Sequence, residues 1–145
     1  MLRTVIIFDV NVLVTAMDLD AASHSVAHHA LVRALSGTEP VGVIDETLGA
    51  TVRISTNPRI KAQAAPTATA LAFCERIRSA PMAERVEAGA AAWQRFAGLV
   101  TAMELRANDV PDAWLAAQVI ELGAHFVTFD RGFLRFSGLE VTVLA

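Results

Sequence analysis

The sequence predicts an α/β fold with a mainly parallel central sheet flanked by helices, and three observations carry that prediction. Thr4 to Phe8 is a short, continuous apolar and β-branched run, suited to a strand buried on both faces. Asp112 to Phe129 reads as a helix ending at Gly123, followed at once by the strand His125 to Phe129. Between these segments strand-like and helical runs alternate, the pattern that builds βαβ units.

The intervening elements follow from local signals. NVLVTAM at 11 to 17 and SHSVAHHALVRALSG at 23 to 37 have helical spacing, the second closed by Gly37 as its C-cap residue. Val41 to Ile44 is the second strand. DETLGATVRIS at 45 to 55 is a helix with acids at the positive end of its dipole, and Asn57-Pro58 stops it. Pro66 opens a helix through Ser79 that Pro81 closes. Arg85 to Glu87 reads as a weak strand, Gly89 to Ala102 as a helix and Met103 to Pro111 as a loop. A turn at Asp130 to Gly132 and a last strand, Glu140 to Leu144, complete an expected single domain over 1–145, without repeat, linker or low-complexity segment.

Composition narrows the function classes. The chain has 145 residues, 54% of them hydrophobic, which is enough for a sizeable core and excludes disorder. No apolar stretch approaches the roughly 20 residues of a membrane span. The start MLRTVIIFDVN lacks the long apolar region and small-residue cleavage site of a signal peptide, so a cytoplasmic protein with no membrane contact is expected. A net charge of −3 excludes a protein that holds nucleic acid by bulk electrostatics. Of the 12 basic residues only Lys61 is not Arg. Arg suits bidentate phosphate contact, and a codon preference for Arg and Ala accounts for the count equally well. Cys74 is expected in the core, as are Trp93 and Trp114; Tyr is absent and no stacking platform for bases is evident.

Three acids stand where this fold would gather them. A helix from Asp112 to Gly123 is about 16.5 Å long at 1.5 Å per residue, and a strand from His125 to Asp130 covers about the same distance at 3.3 Å per residue. Packed antiparallel, the helix start and strand end lie level, so Asp112 comes near Asp130. Asp9 also ends a strand, and with parallel strands it shares the carboxyl edge where open α/β sheets place their ligands. Two carboxylates 4 Å apart repel by about 4 kcal/mol at an effective dielectric near 20. Such a cluster calls for a cation or raised pKa values, and Mg²⁺ or Mn²⁺ is the usual answer. Plain structural roles remain open for Asp112 at a helix start and Asp130 in a turn. Asp9, between apolar runs, is expected to be poorly solvated, and an unpaired buried carboxylate is costly.

These residues resemble the PIN-domain ribonucleases, and within them the VapC-type toxins of toxin–antitoxin pairs, particularly their mycobacterial branch. FDVNVLV at 8 to 14 is similar to the family's opening strand, with Asp9 its first acid and Asn11 the polar residue two on. VRISTNPRI at 52 to 60 resembles the branch's Arg-to-Pro run, and NDVPDAWLAAQVIELGAHFVTFDRGF at 108 to 133 its closing signature, with Asp112, Thr128 and Asp130. Two departures stand out. The family's second acid falls at Ala50, so Glu46, one helical turn back, or Asp45 is the candidate replacement, and a helix-terminal role for either is open. Gly132 stands where the family often has another acid.

The resemblance implies a PIN-like three-layer sandwich and Mg²⁺- or Mn²⁺-dependent endonucleolytic cleavage of RNA. The implied catalytic set is Asp9, Glu46, Asp112 and Asp130, with the metal on Asp9, Asp112 and Asp130 and with Asn11 and Thr128 orienting carboxylates or water. Arg53 and Arg131 are candidates for phosphate contact, although arginine at a helix face or turn is more often simply solvated. The implied partners are RNA, a VapB-like antitoxin and a second copy of the chain, for which the Ala-rich stretches 64 to 74 and 88 to 102 offer close-packing faces. Two other readings compete. A haloacid-dehalogenase-like phosphatase also opens with a strand and Asp, but it needs an acid where Asn11 stands and a lysine near a strand end, and Lys61 reads as far from any. A PIN-like module that binds RNA or metal without cutting is kept open by Ala50.

Overall fold

The computed structural model describes residues 4–145, so Met1 to Arg3 of the N-terminal stretch lie outside it. Five strands, β1 (Ile6–Phe8), β2 (Val41–Val43), β3 (Ala83–Arg85), β4 (His125–Thr128) and β5 (Glu140–Val143), form one sheet in the order β3-β2-β1-β4-β5. Every neighbouring pair is parallel. Six α-helices flank it: α1 (Val10–Met17), α2 (His24–Leu35), α3 (Asp45–Ser55), α4 (Thr67–Arg78), α5 (Ala90–Met103) and α6 (Asp109–Glu121). Among the described residues no helix is long and apolar enough to cross a membrane.

Strand alternation divides the core into two layers. Phe8, Val41, Val43 and Val127 face α1 to α4, packing with Val12, Leu13, Leu31, Leu48, Cys74 and Ile77. Ile7 and Phe126 face the other way, against Ala113, Ala116 and Val119 of α6 and against Phe133 and Phe136. The helix–sheet–helix sandwich follows from strands that are apolar on both faces. Cys74 is buried, as expected, with its thiol directed at the Leu48 carbonyl.

Three elements and one side chain depart from the sequence reading. β3 lies two residues earlier than Arg85 to Glu87, because the tight turn after α4 delivers Met82, whose carbonyl accepts from Val41 N and sets the register. Helix α6 begins at Asp109 inside the expected loop; Pro111 is tolerated in its first turn, where an amide would lack a helical partner anyway. The turn after Asp130 continues as a 3-10 turn over Arg131–Arg135, which buries Phe133. Trp93 is not in the core: it is 63% exposed at the start of α5, while Trp114 is half-buried.

Gly42 occupies the crowded middle of β2, where a Cβ would stand 2.7 Å from Val5 Cγ1 and 3.0 Å from Ile7 Cγ1. Gly42→Ala is expected to destabilise the protein by about 1–3 kcal/mol through overpacking, read from urea denaturation. On the surface, Asp45 accepts hydrogen bonds from Arg78 Nε (3.0 Å) and Arg85 Nε (2.8 Å), tying the start of α3 to the end of α4 and to β3. These guanidinium groups hold its carboxyl down at about 2. A folded-state value below the ordinary one gives stability that is present at neutral pH and is lost as the pH falls through about 2. Asp45→Asn is therefore expected to lower the melting temperature at pH 7, less so in high salt, and to make no difference in acid below pH 2.

Candidate active site at the carboxyl edge of the sheet

Asp9 directly follows β1 and caps α1: its Oδ1 accepts from Val10 N at 2.7 Å. Its backbone N–H donates to Val127 O at 2.9 Å, continuing the β1–β4 ladder. The side chain is nearly closed off from water, and its second oxygen accepts from the hydroxyl of fully buried Thr128 at 2.7 Å. Thr128 Oγ1 in turn accepts from Asp130 N at 2.9 Å and from Asn11 Nδ2 at 3.4 Å. Asn11 completes the link by accepting from Phe129 N at 3.2 Å. Both polar residues thus fix the ends of β1 and β4 and orient Asp9.

Asp112, in the first turn of α6, lines one depression with Asp9, Asn11 and Asp130. Burial pushes the Asp9 carboxyl up against the lowering effect of Thr128 and Val10, and the charges of Asp112 and Asp130 push it further. Burial also raises Asp112, Arg135 opposes the rise and Asp130 adds to it. The expected convergence of three sequence-distant acids on one edge is therefore present. Among the described residues, however, no three His, Cys, Asp or Glu side chains stand close enough to grip one ion as they are placed. Each carboxylate instead faces a protein donor: Asp9 has Val10 and Thr128, Asp130 Oδ1 accepts from Gly132 N at 2.7 Å, and Asp112 Oδ2 accepts from Arg135 Nη2 at 3.4 Å.

The structure separates the two candidates on α3. Asp45 is committed to Arg78 and Arg85, away from the acids. Glu46 lines a second depression together with Asp9, Ala50, Asp112, Trp114 and Gln118. The two depressions share Asp9 and Asp112, so the acids lie between a Glu46 side and an Asp130 side.

Two cations escaped the sequence reading. Lys61 is not remote from the strand ends: after Asn57 the chain turns back, with Lys61 N donating to Asn57 O and Ala65 N to Ser55 O, and Lys61 joins the lining of the Asp130-side depression, paired with Asp18 at 2.8 Å. Arg135 contacts Asp109 at 3.2 Å, Asp112 at 3.4 Å and Gly132 O at 3.0 Å, with its guanidinium 4.7 Å from the Phe136 ring centroid. Nothing in FDRGFLRF marks Arg135 above Arg131; the 3-10 turn selects it. A Cβ at Gly132 would meet Arg135 Nη1 at 2.7 Å and Asp130 Oδ1 at 2.9 Å, so a side chain there would have to displace the ends of Arg135 and Asp130. Neither Arg53 nor Arg131 lines either depression. A large groove between α2 and the β1, β4 and β5 strands is mostly apolar, and none of the four acids lines it.

A family model described as the PIN domain matches residues 6–139. Among curated relatives, ribonuclease VapC43 of Mycobacterium tuberculosis is 34% identical over 132 residues, covering 91% of this chain and 90% of the relative. Among solved structures, the chain resembles VapBC2 from Rickettsia felis bound to a DNA fragment from their promoter, with a TM-score of 0.68 and 14% identity over 98% of this chain and 100% of that one. It also resembles Mycobacterium tuberculosis VapC20, a sarcin-ricin loop cleaving toxin, with a TM-score of 0.62 and 20% identity over 93% and 98% of the two chains. With the acids at the edge where the fold gathers them, these matches place the chain in the PIN-domain family, among the VapC proteins.

Proposed function

We propose that the chain is a Mg²⁺- or Mn²⁺-dependent endoribonuclease, the toxin of a VapBC-type pair, acting in the cytoplasm. The observation that carries this reading is the lining of one depression by Asp9, Asp112 and Asp130. The upward shifts of Asp9 and Asp112, each with neighbouring carboxylates among its causes, support a hard cation there. An all-oxygen donor set suits Mg²⁺ or Mn²⁺ rather than a thiophilic ion.

In this reading Asp9, Asp112 and Asp130, drawn closer together than they stand here, would hold the cation, which when bound would supply charge stabilisation to the phosphate oxygens. Thr128 and Asn11 keep the Asp9 carboxylate fixed, as the partners of ligating groups do. Glu46, at the other side of the acids, acts as the fourth carboxylate in place of Ala50. Lys61, in the lining of the Asp130-side depression, and Arg135, paired with Asp112, are cations placed to meet a phosphodiester. The partners that fit are RNA, a VapB-like antitoxin and a second copy of the chain. The apolar groove beside α2 supports a protein partner, and the exposed Ala68, Leu71 and Ala72 of α4 support self-association.

Cleavage of a synthetic RNA is expected to require Mg²⁺ or Mn²⁺ and to stop in EDTA. Asp9→Asn is expected to abolish it while leaving the fold intact, since asparagine also caps a helix. Retention of full activity by this variant would remove the proposal. Thr128→Val is expected to lower activity about 10- to 100-fold and to cost about 1–3 kcal/mol of stability by leaving a buried carboxylate oxygen without its donor. Glu46→Gln is expected to reduce turnover at unchanged melting temperature, and Asp45→Asn to do the opposite.

A further inference from the structure

Half-buried Trp114 of α6 lines a depression shared with the acids, and exposed Trp93 of α5 packs against it. Trp93, Phe96 and Trp114 form one cluster: the ring centroids of Trp93 and Trp114 are 6.2 Å apart at 65°, and those of Phe96 and Trp114 are 5.5 Å apart at 79°. Edge-to-face packing of this kind holds rings in fixed orientations. Phe96 belongs to the layer beneath the sheet, whereas Trp93 keeps 63% of its surface in solvent. Trp114 connects this exposed ring to the chemistry, because it lines the Glu46-side depression with Asp9 and Asp112. An exposed indole next to a second ring at the mouth of an acidic depression offers a flat apolar face to a ligand.

We propose that Trp93 and Trp114 form a stacking platform for an unpaired RNA base next to the phosphodiester presented to Asp9 and Asp112, so that they act as binding and specificity residues. The inference rests on the ribonuclease reading above. Its geometry is directional. The acids lie between a cationic side, with Lys61, and an aromatic side, where Trp114 lines the depression and Trp93 packs 6.2 Å from it on the exposed flank. A single strand crossing the acids would therefore set a phosphate on the Lys61 side and a base on the tryptophan side. Stacking on an aromatic face is available to every base, so the platform selects unpaired nucleotides over duplex more than one base over another. It also supplies affinity that a chain with a net charge of −3 does not obtain from bulk electrostatics.

The test uses the full chain carrying Asp9→Asn in EDTA, with a mixed-sequence single-stranded 12-nucleotide RNA and its abasic sugar–phosphate counterpart as probes. The RNA is expected to quench tryptophan fluorescence and the abasic strand to leave it unchanged. Trp93→Leu is expected to remove most of the quenching. In the otherwise wild-type protein with Mg²⁺, Trp93→Leu is expected to raise KM for the same RNA about five- to tenfold with kcat nearly unchanged, and Trp93→Phe to restore most of the loss. Sedimentation velocity of the same variants checks for a purely self-associating surface. An unchanged KM in an active enzyme, or equal quenching by the abasic strand, overturns the platform. So does conversion of a dimer to a monomer by Trp93→Leu with RNA binding intact. If the wild-type chain cuts no RNA, the ribonuclease reading fails, and the fluorescence titration still decides whether a base stacks on Trp93.

Discussion

Asp9 and Thr128 join the two central strands at the edge where the acids gather. A carboxylate in this place loses most of its hydration, and its charge persists only if protein donors replace the lost water. The α1 amide provides one and the Thr128 hydroxyl at the end of β4 provides the other. Because Thr128 also accepts from Asp130 N and from Asn11, the same hydroxyl sets the direction in which the chain leaves β4. The position of Asp130, the start of the 3-10 turn and the burial of Phe133 against Phe126 all follow from that departure.

Negative charge is treated differently at the two ends of this edge. Asp45 is neutralised on the surface by two arginines and serves the packing of α3, α4 and β3. Asp9 and Asp112 are each pushed up by burial and by neighbouring carboxylates, a rise that Arg135 opposes at Asp112. Adjacent residues on α3 thus have unrelated roles: Asp45 turns toward the two arginines and Glu46 toward the acids. A helix that begins beside an active depression can present one residue of each kind, since successive side chains are about 100° apart.

The sheet and its helices were legible because their signals are local and repeated. Thr4 to Phe8 and His125 to Phe129 are apolar on both faces, and Gly37 and Gly123 sit where helices end. Asp9, Asp112 and Asp130 were legible as a set because helix and strand lengths place them at one level. What stayed hidden depends on turns and register. β3 carries no alternation of its own and takes its position from pairing with β2. Lys61 comes near the acids only through the turn after Asn57, and Arg135 reaches Asp112 only through a 3-10 turn. Trp93 looked like a core residue because its neighbours are apolar, but the Ala92 side of α5 is the buried one.

The all-parallel order of the sheet also sets when the site can come into existence. β1 pairs with β2 and β4, and the Asp9–Thr128 bond spans 119 residues of chain. Contacts of such long sequence separation close late, after the entropy of a large loop has been overcome. On a ribosome, Asp9 emerges before Thr128 and waits unpaired while the 119 residues that separate them are made. The acidic edge therefore depends on the β1–β4 pairing, and loss of β4 leaves that edge unbuilt whatever helices have formed.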